Sequence, residues 1–163
     1  MKKFVVCMLA LALMAVPALA EGTAPTDSGI IQLNAAGSSV DLDGDGTAEA
    51  VALKLSVSDM EETYTLAVNG ATAQGQGVSL NGGLYALKLG DMSYLVVTED
   101  GPSDDPFCYF YRYQEGQLTY AGGIPAYIGT LAITREGISC VVRGSVLQTW
   151  FRPGDFIVAQ NGY

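Results

Sequence analysis

Three aspartates alternate with other residues at Asp41, Asp43 and Asp45, and Thr47 and Glu49 continue the odd-numbered series in Asp-Leu-Asp-Gly-Asp-Gly-Thr-Ala-Glu. Alternate residues of a tightly curled loop point to the same side. Four carboxylates and one main-chain carbonyl, that of Thr47, thus form a cluster of hard oxygens. Calcium takes six to eight such oxygens at flexible geometry. Gly46 permits the sharp turn, and Gly44 relaxes the backbone before it. An EF-hand would place a bidentate Glu three residues beyond Glu49 and a helix on each side. Ala52 stands there instead, inside the alternating run Val51-Ala52-Leu53-Lys54-Leu55. The expected element is a calcium loop between two β-strands, with Asp41, Asp43, Asp45, Glu49 and the Thr47 carbonyl as ligands. The alternative is an Asp/Gly turn with no ion, in which the carboxylates would repel one another on closing.

This loop resembles the D-x-D-G-D-G-x-x-[DE] segment of FG-GAP and VCBS-type repeats, the blades of integrin-like β-propellers. The resemblance covers about a dozen residues, including the apolar strand that follows, and implies one Ca²⁺ held between two blade strands. It also implies a secreted bacterial protein. No Phe-Gly…Gly-Ala-Pro signature accompanies it, and the corresponding Gly90-Asp91 segment lacks the other acidic residues.

Other acidic and aromatic residues invite different chemistry. Glu99, Asp100, Asp104 and Asp105 lie in Thr-Glu-Asp-Gly-Pro-Ser-Asp-Asp-Pro. They are read as a solvated, proline-stiffened loop, with a second cation site or a ligand-contact loop as alternatives; Asp104, Asp105 or Glu99 would supply the carboxylates of a secreted hydrolase. In Phe-Cys-Tyr-Phe-Tyr-Arg-Tyr, period two places Phe107, Tyr109, Tyr111 and Tyr113 on one face and Cys108, Phe110 and Arg112 on the other. The tyrosine face is a candidate platform for a glycan or protein partner, or else it is core. Trp150 is assigned to the core. Cys108 and Cys140 each sit in a strand-like run; they either pair as a disulfide in an oxidising compartment or remain buried thiols. The chain has no histidine, which excludes Ser–His–Asp and Cys–His catalysis and any histidine-based zinc site.

The elements that must position these residues are short strands. Apolar runs rich in Val, Ile, Leu, Tyr and Thr recur throughout, punctuated by Asn69-Gly70, Asn81-Gly82-Gly83 and Glu136-Gly137. No stretch sustains a helical period. The chain is therefore expected to be all-β and antiparallel. An offset of about 46 residues relates Gly44-Asp45 to Gly90-Asp91, which suggests propeller-blade-like units in an open or partial array; a β-sandwich is the alternative.

Residues 1–20 read as a secretory signal peptide: Lys2 and Lys3, an apolar stretch too short to span a bilayer, then Ala18-Leu19-Ala20. Residues 21–28 read as a linker and 29–163 as a single domain. The net charge is −9, and losing Lys2 and Lys3 leaves six basic residues against seventeen acidic ones. Such a surface repels nucleic acid and anionic membranes. The combined expectation is a secreted or periplasmic, calcium-binding, non-catalytic binding or adhesion module, with a hydrolase or a purely structural domain as alternatives.

Overall fold

The computed structural model describes residues 29–58, 61–101, 105–134, 137–143 and 151–156. The expected signal peptide and linker, Asp104, Glu136 and Trp150 lie outside the described residues. Among the described residues twelve strands follow one another: β1 Ile30–Gln32, β2 Ser38–Val40, β3 Glu49–Val57, β4 Glu62–Val68, β5 Ala71–Gly77, β6 Leu80–Leu89, β7 Met92–Glu99, β8 Phe107–Gln114, β9 Gln117–Ile124, β10 Ala132–Ile133, β11 Ile138–Arg143 and β12 Phe151–Phe156. One 3₁₀ turn, Ile128–Thr130, precedes β10.

The strands form three antiparallel sheets in the orders β1-β6-β7-β8-β9, β2-β3-β4-β5 and β10-β11-β12. None closes into a barrel, so the all-β expectation holds as an open stack of layers. Two separate cores show which sheet is central. Leu53, Leu66 and Val68 of the β2–β5 sheet pack against Leu84, Leu95 and Val97. On the opposite side, Leu87, Val96 and Phe110 pack against Ile138, Cys140 and Val142 of the β10–β12 sheet. The five-stranded sheet is therefore covered on both faces.

That position explains its sequence. A strand buried on both sides reads as a continuous apolar run, without alternation. Tyr94, Leu95, Val96, Val97 and Thr98 of β7 are all buried. Each apolar one contributes about 1.5–3 kcal/mol through its burial. In the outer sheet, β3 alternates instead: Val51 and Leu53 face the core, whereas Val57 continues the same parity past the core edge and is exposed.

One punctuation signal has another structural meaning. Asn81-Gly82-Gly83 does not separate strands; β6 runs through it with a bulge between Leu80 and Gly83. The Asn81 side chain holds that bulge, accepting from the Gly83 amide and the Thr98 hydroxyl, both at 2.9 Å. Pro153-Gly154 lies within β12, where Pro153 stands opposite Val141. A proline is tolerated there because β12 is an edge strand.

Cys108 and Cys140 meet in the second core from facing sheets, and the two sulfurs are not bonded to each other. The Cys108 thiol donates to the Ala126 carbonyl at 3.2 Å. Burial, and then the neighbouring Cys140, push its pKa from 9.0 up to about 12. The unfolded thiol loses its proton near pH 9, whereas the folded one holds it to about 12. The folded state thus binds more protons in that window, so this contribution is complete below pH 9 and fades as pH rises through it. Tyr64 and Tyr111, raised chiefly by burial, act in the same direction. Denaturant midpoints should therefore fall from pH 9 upward, and Cys108 should resist alkylation until the chain unfolds. Rapid alkylation of the folded protein at neutral pH would contradict this packing.

Candidate metal centre

The acidic loop joins β2 to β3, whose first pair is Val40 opposite Glu49. Its conformation follows from its own side chains. Asp41 accepts from the Gly44 amide at 2.7 Å and the Gly46 amide at 3.1 Å. Asp43 accepts from the Asp45 amide at 3.2 Å, and Asp45 from the Thr47 amide at 2.6 Å. Gly44 and Gly46 adopt φ of 80° and 86°, a region that other residues enter only at a cost.

Two buried residues fix this loop to the protein body. Leu42, between the first two aspartates, is 3% exposed and inserts into the core beneath. Glu49 is also only 3% exposed, because its parity on β3 is that of Val51 and Leu53. Its Oε2 accepts from the Leu42 amide at 2.7 Å. Asn69 of the β4–β5 turn braces the far end, accepting from the Ala50 amide at 2.9 Å. The roles of Leu42 and Asn69 are not among the sequence expectations. The signal for Leu42 was present: a large apolar residue among alternating aspartates has to turn inward.

The resulting group is Asp41, Asp43 and Glu49, each offering a carboxylate oxygen within 4.8 Å of the others. Asp41 and Asp43 are exposed and Glu49 is buried. Asp45 lies outside this group and Thr47 is exposed beside it. No lysine or arginine occurs in the sequence from Gly29 to Leu53, so the loop and its flanking strand residues carry no basic side chain of their own. Three carboxylates converging in this way could hold a metal ion.

The repeat-related position is built differently. Gly90-Asp91 forms a two-residue turn between β6 and β7, with Leu89 opposite Met92. A turn of that length has no room for a set of alternating ligands.

The tyrosine strand divides by face as its period requires. Tyr109, Tyr111 and Tyr113 border the first core, and Cys108 and Phe110 belong to the second. Phe107 shares the tyrosine side, its ring 4.8 Å from that of Tyr109. Tyr111 and Tyr113 are buried and Tyr109 is half-buried. The Tyr111 and Tyr64 hydroxyls hydrogen-bond at 2.8 Å, and the Gly75 position leaves space for the Tyr64 ring, which a Cβ there would strike. This side of β8 is mainly a packed inter-sheet surface. Among the described aromatic residues only Tyr120 of β9, which stacks edge-on against Tyr111 at 5.5 Å, is well exposed.

The second acidic stretch serves as a tether. Glu99 accepts from the Val78 amide at 2.8 Å, and Asp100 from the Asn81 side-chain amide at 2.9 Å. Tyr109 also hydrogen-bonds Glu99; burial first and then this bond raise its pKa above the ordinary tyrosine range. Asp105 is half-buried.

The fold and this site define a class: a layered, open antiparallel β-protein carrying one acidic loop at a strand junction. Comparison with protein-family models, curated proteins and solved structures gives no match. Among the described residues, no helix is long and apolar enough to cross a membrane.

Proposed function

We propose that the chain is a secreted calcium-binding β-protein of the FG-GAP/VCBS type, acting as a non-catalytic binding or adhesion module at the cell exterior. The observation that carries this reading is the convergence of Asp41, Asp43 and buried Glu49 within 4.8 Å. Calcium would be held by these three, with Asp45 and the Thr47 carbonyl available to complete an oxygen shell. The ion would offset carboxylate repulsion and lock the β2–β3 junction. Engagement of Glu99 and Asp100 in tethering bonds supports a non-catalytic role. Burial of Tyr111 and Tyr113 moves the contact surface for a glycan or protein toward the loops.

Glu49→Gln tests the ion reading with little change of shape. The amide oxygen can still accept from Leu42, but one negative charge is lost. Calcium binding should weaken strongly, while the melting temperature in chelator changes little. Unchanged calcium affinity in that variant, measured by calorimetric titration, would remove Glu49 from the site. Glycan-array binding by the calcium-loaded protein tests the adhesion role, and a blank array would favour a structural module.

A further inference from the structure

Exposed sheet edges invite pairing with another chain, and proteins usually blunt them. Five of the six edges here are blunted, among the described residues. β1 and β2 have three residues each and β10 has two. β9 is interrupted by a bulge opposite Phe110 and Tyr111, and β12 contains Pro153. β5 is the exception. Its seven residues, Ala-Thr-Ala-Gln-Gly-Gln-Gly, hold no charge and no proline. They pair without irregularity along β4, from Val68 opposite Ala71 to Glu62 opposite Gly77.

The turn preceding β5 decides which backbone groups are spare. Asn69 and Gly70, with φ of 47° and 92°, make a two-residue hairpin. In such a hairpin the flanking pair, Val68 and Ala71, exchanges both hydrogen bonds. Alternation then turns the amides and carbonyls of Thr72, Gln74 and Gln76 outward from the sheet. The side chains of these same three residues are exposed.

We infer that β5 is a self-association edge, pairing antiparallel with β5 of a second copy about a two-fold axis at Gln74. Gln74 then faces its own counterpart, and Thr72 faces Gln76. A glutamine side chain is both donor and acceptor, so it complements itself. On the inner face only Ala and Gly meet. The strand's neutrality matters too, because a second copy of this acidic chain can approach here without charges directly opposed. The two four-stranded sheets would become one of eight strands. A contact of this length is well below the size of a stable interface, so the dimer should be weak, and salt should strengthen it by screening the net charge of each copy.

Sedimentation equilibrium over a rising concentration series, combined with amide hydrogen exchange, tests the inference. A monomer–dimer equilibrium that deepens with salt is expected, with Thr72, Gln74 and Gln76 amides protected only at high concentration. Gln74→Lys places like charges at the axis and should weaken association about tenfold, leaving the dilute protein's melting temperature unchanged. A protein monomeric at every concentration would overturn the inference. So would a dimer indifferent to Gln74→Lys, or protection of the three amides already in dilute protein, which would mean that the chain covers its own edge.

Discussion

Asp43→Ala should erase the calcium-dependent rise in melting temperature that is expected of the unaltered protein. Binding to the folded state alone stabilises by about 2.7 kcal/mol when free calcium is a hundredfold above its dissociation constant. At roughly 4 °C per kcal/mol for a domain of this size, the shift is about 10 °C. Asp43 is exposed and, among the described residues, accepts only the long 3.2 Å bond from the Asp45 amide, so its loss should cost the calcium-free protein little. Removing one of three mutually repelling carboxylates can even raise the melting temperature in chelator. Asp91→Ala, in the tight β6–β7 turn, should leave the calcium response intact. Magnesium should substitute poorly, because it keeps its waters and demands a smaller octahedral shell. A calcium response that persists in Asp43→Ala would place the ion elsewhere.

Leu42→Ala should do the opposite in one respect: it should damage the protein even in chelator. The side chain is 3% exposed and anchors the loop in the core between the two sheets. Truncating a buried leucine costs about 2–5 kcal/mol, through lost burial and the cavity left behind. The loss should appear as a lower denaturant midpoint with an unchanged slope. Calcium affinity should also fall, since Leu42 fixes the spacing of Asp41 and Asp43 and its amide orients Glu49. Comparing the two variants separates ligand from anchor: Asp43→Ala loses the ion response alone, and Leu42→Ala loses stability as well. If Leu42→Ala melted like the unaltered protein, the loop would not be anchored as described.

The strand content was legible because alternation and turn residues are local signals. Val51 and Leu53 announced the buried face of β3, and Asn69-Gly70 announced its hairpin. The layering was less legible. Whether β7 is buried on both sides depends on which sheets stack against it, and a run such as Tyr94 to Val97 fits any buried strand. Asn81-Gly82-Gly83 was misread for a related reason. The same residues serve a turn or a bulge, and the side-chain bonds of Asn81 across to Thr98 decide between them. At the acidic loop, the convergence of Asp41, Asp43 and Glu49 was readable from spacing. That Glu49 would be buried was implicit in its parity with Val51, whereas the brace from Asn69 requires knowing that β3 pairs with β4. For β8 the period correctly divided the aromatic residues by face. It did not convey that both faces pack against other sheets, which buries Tyr111 and Tyr113.

The central claim is that Asp41, Asp43 and Glu49 together hold one calcium ion. Isothermal titration of the chelator-stripped protein with Ca²⁺ tests it most directly. The account predicts one ion per chain, a dissociation constant of roughly 10⁻⁴–10⁻³ M as in extracellular modules, and loss of the binding heat in Asp43→Ala. No saturable heat across the millimolar range, or the same isotherm in Asp43→Ala, would contradict it.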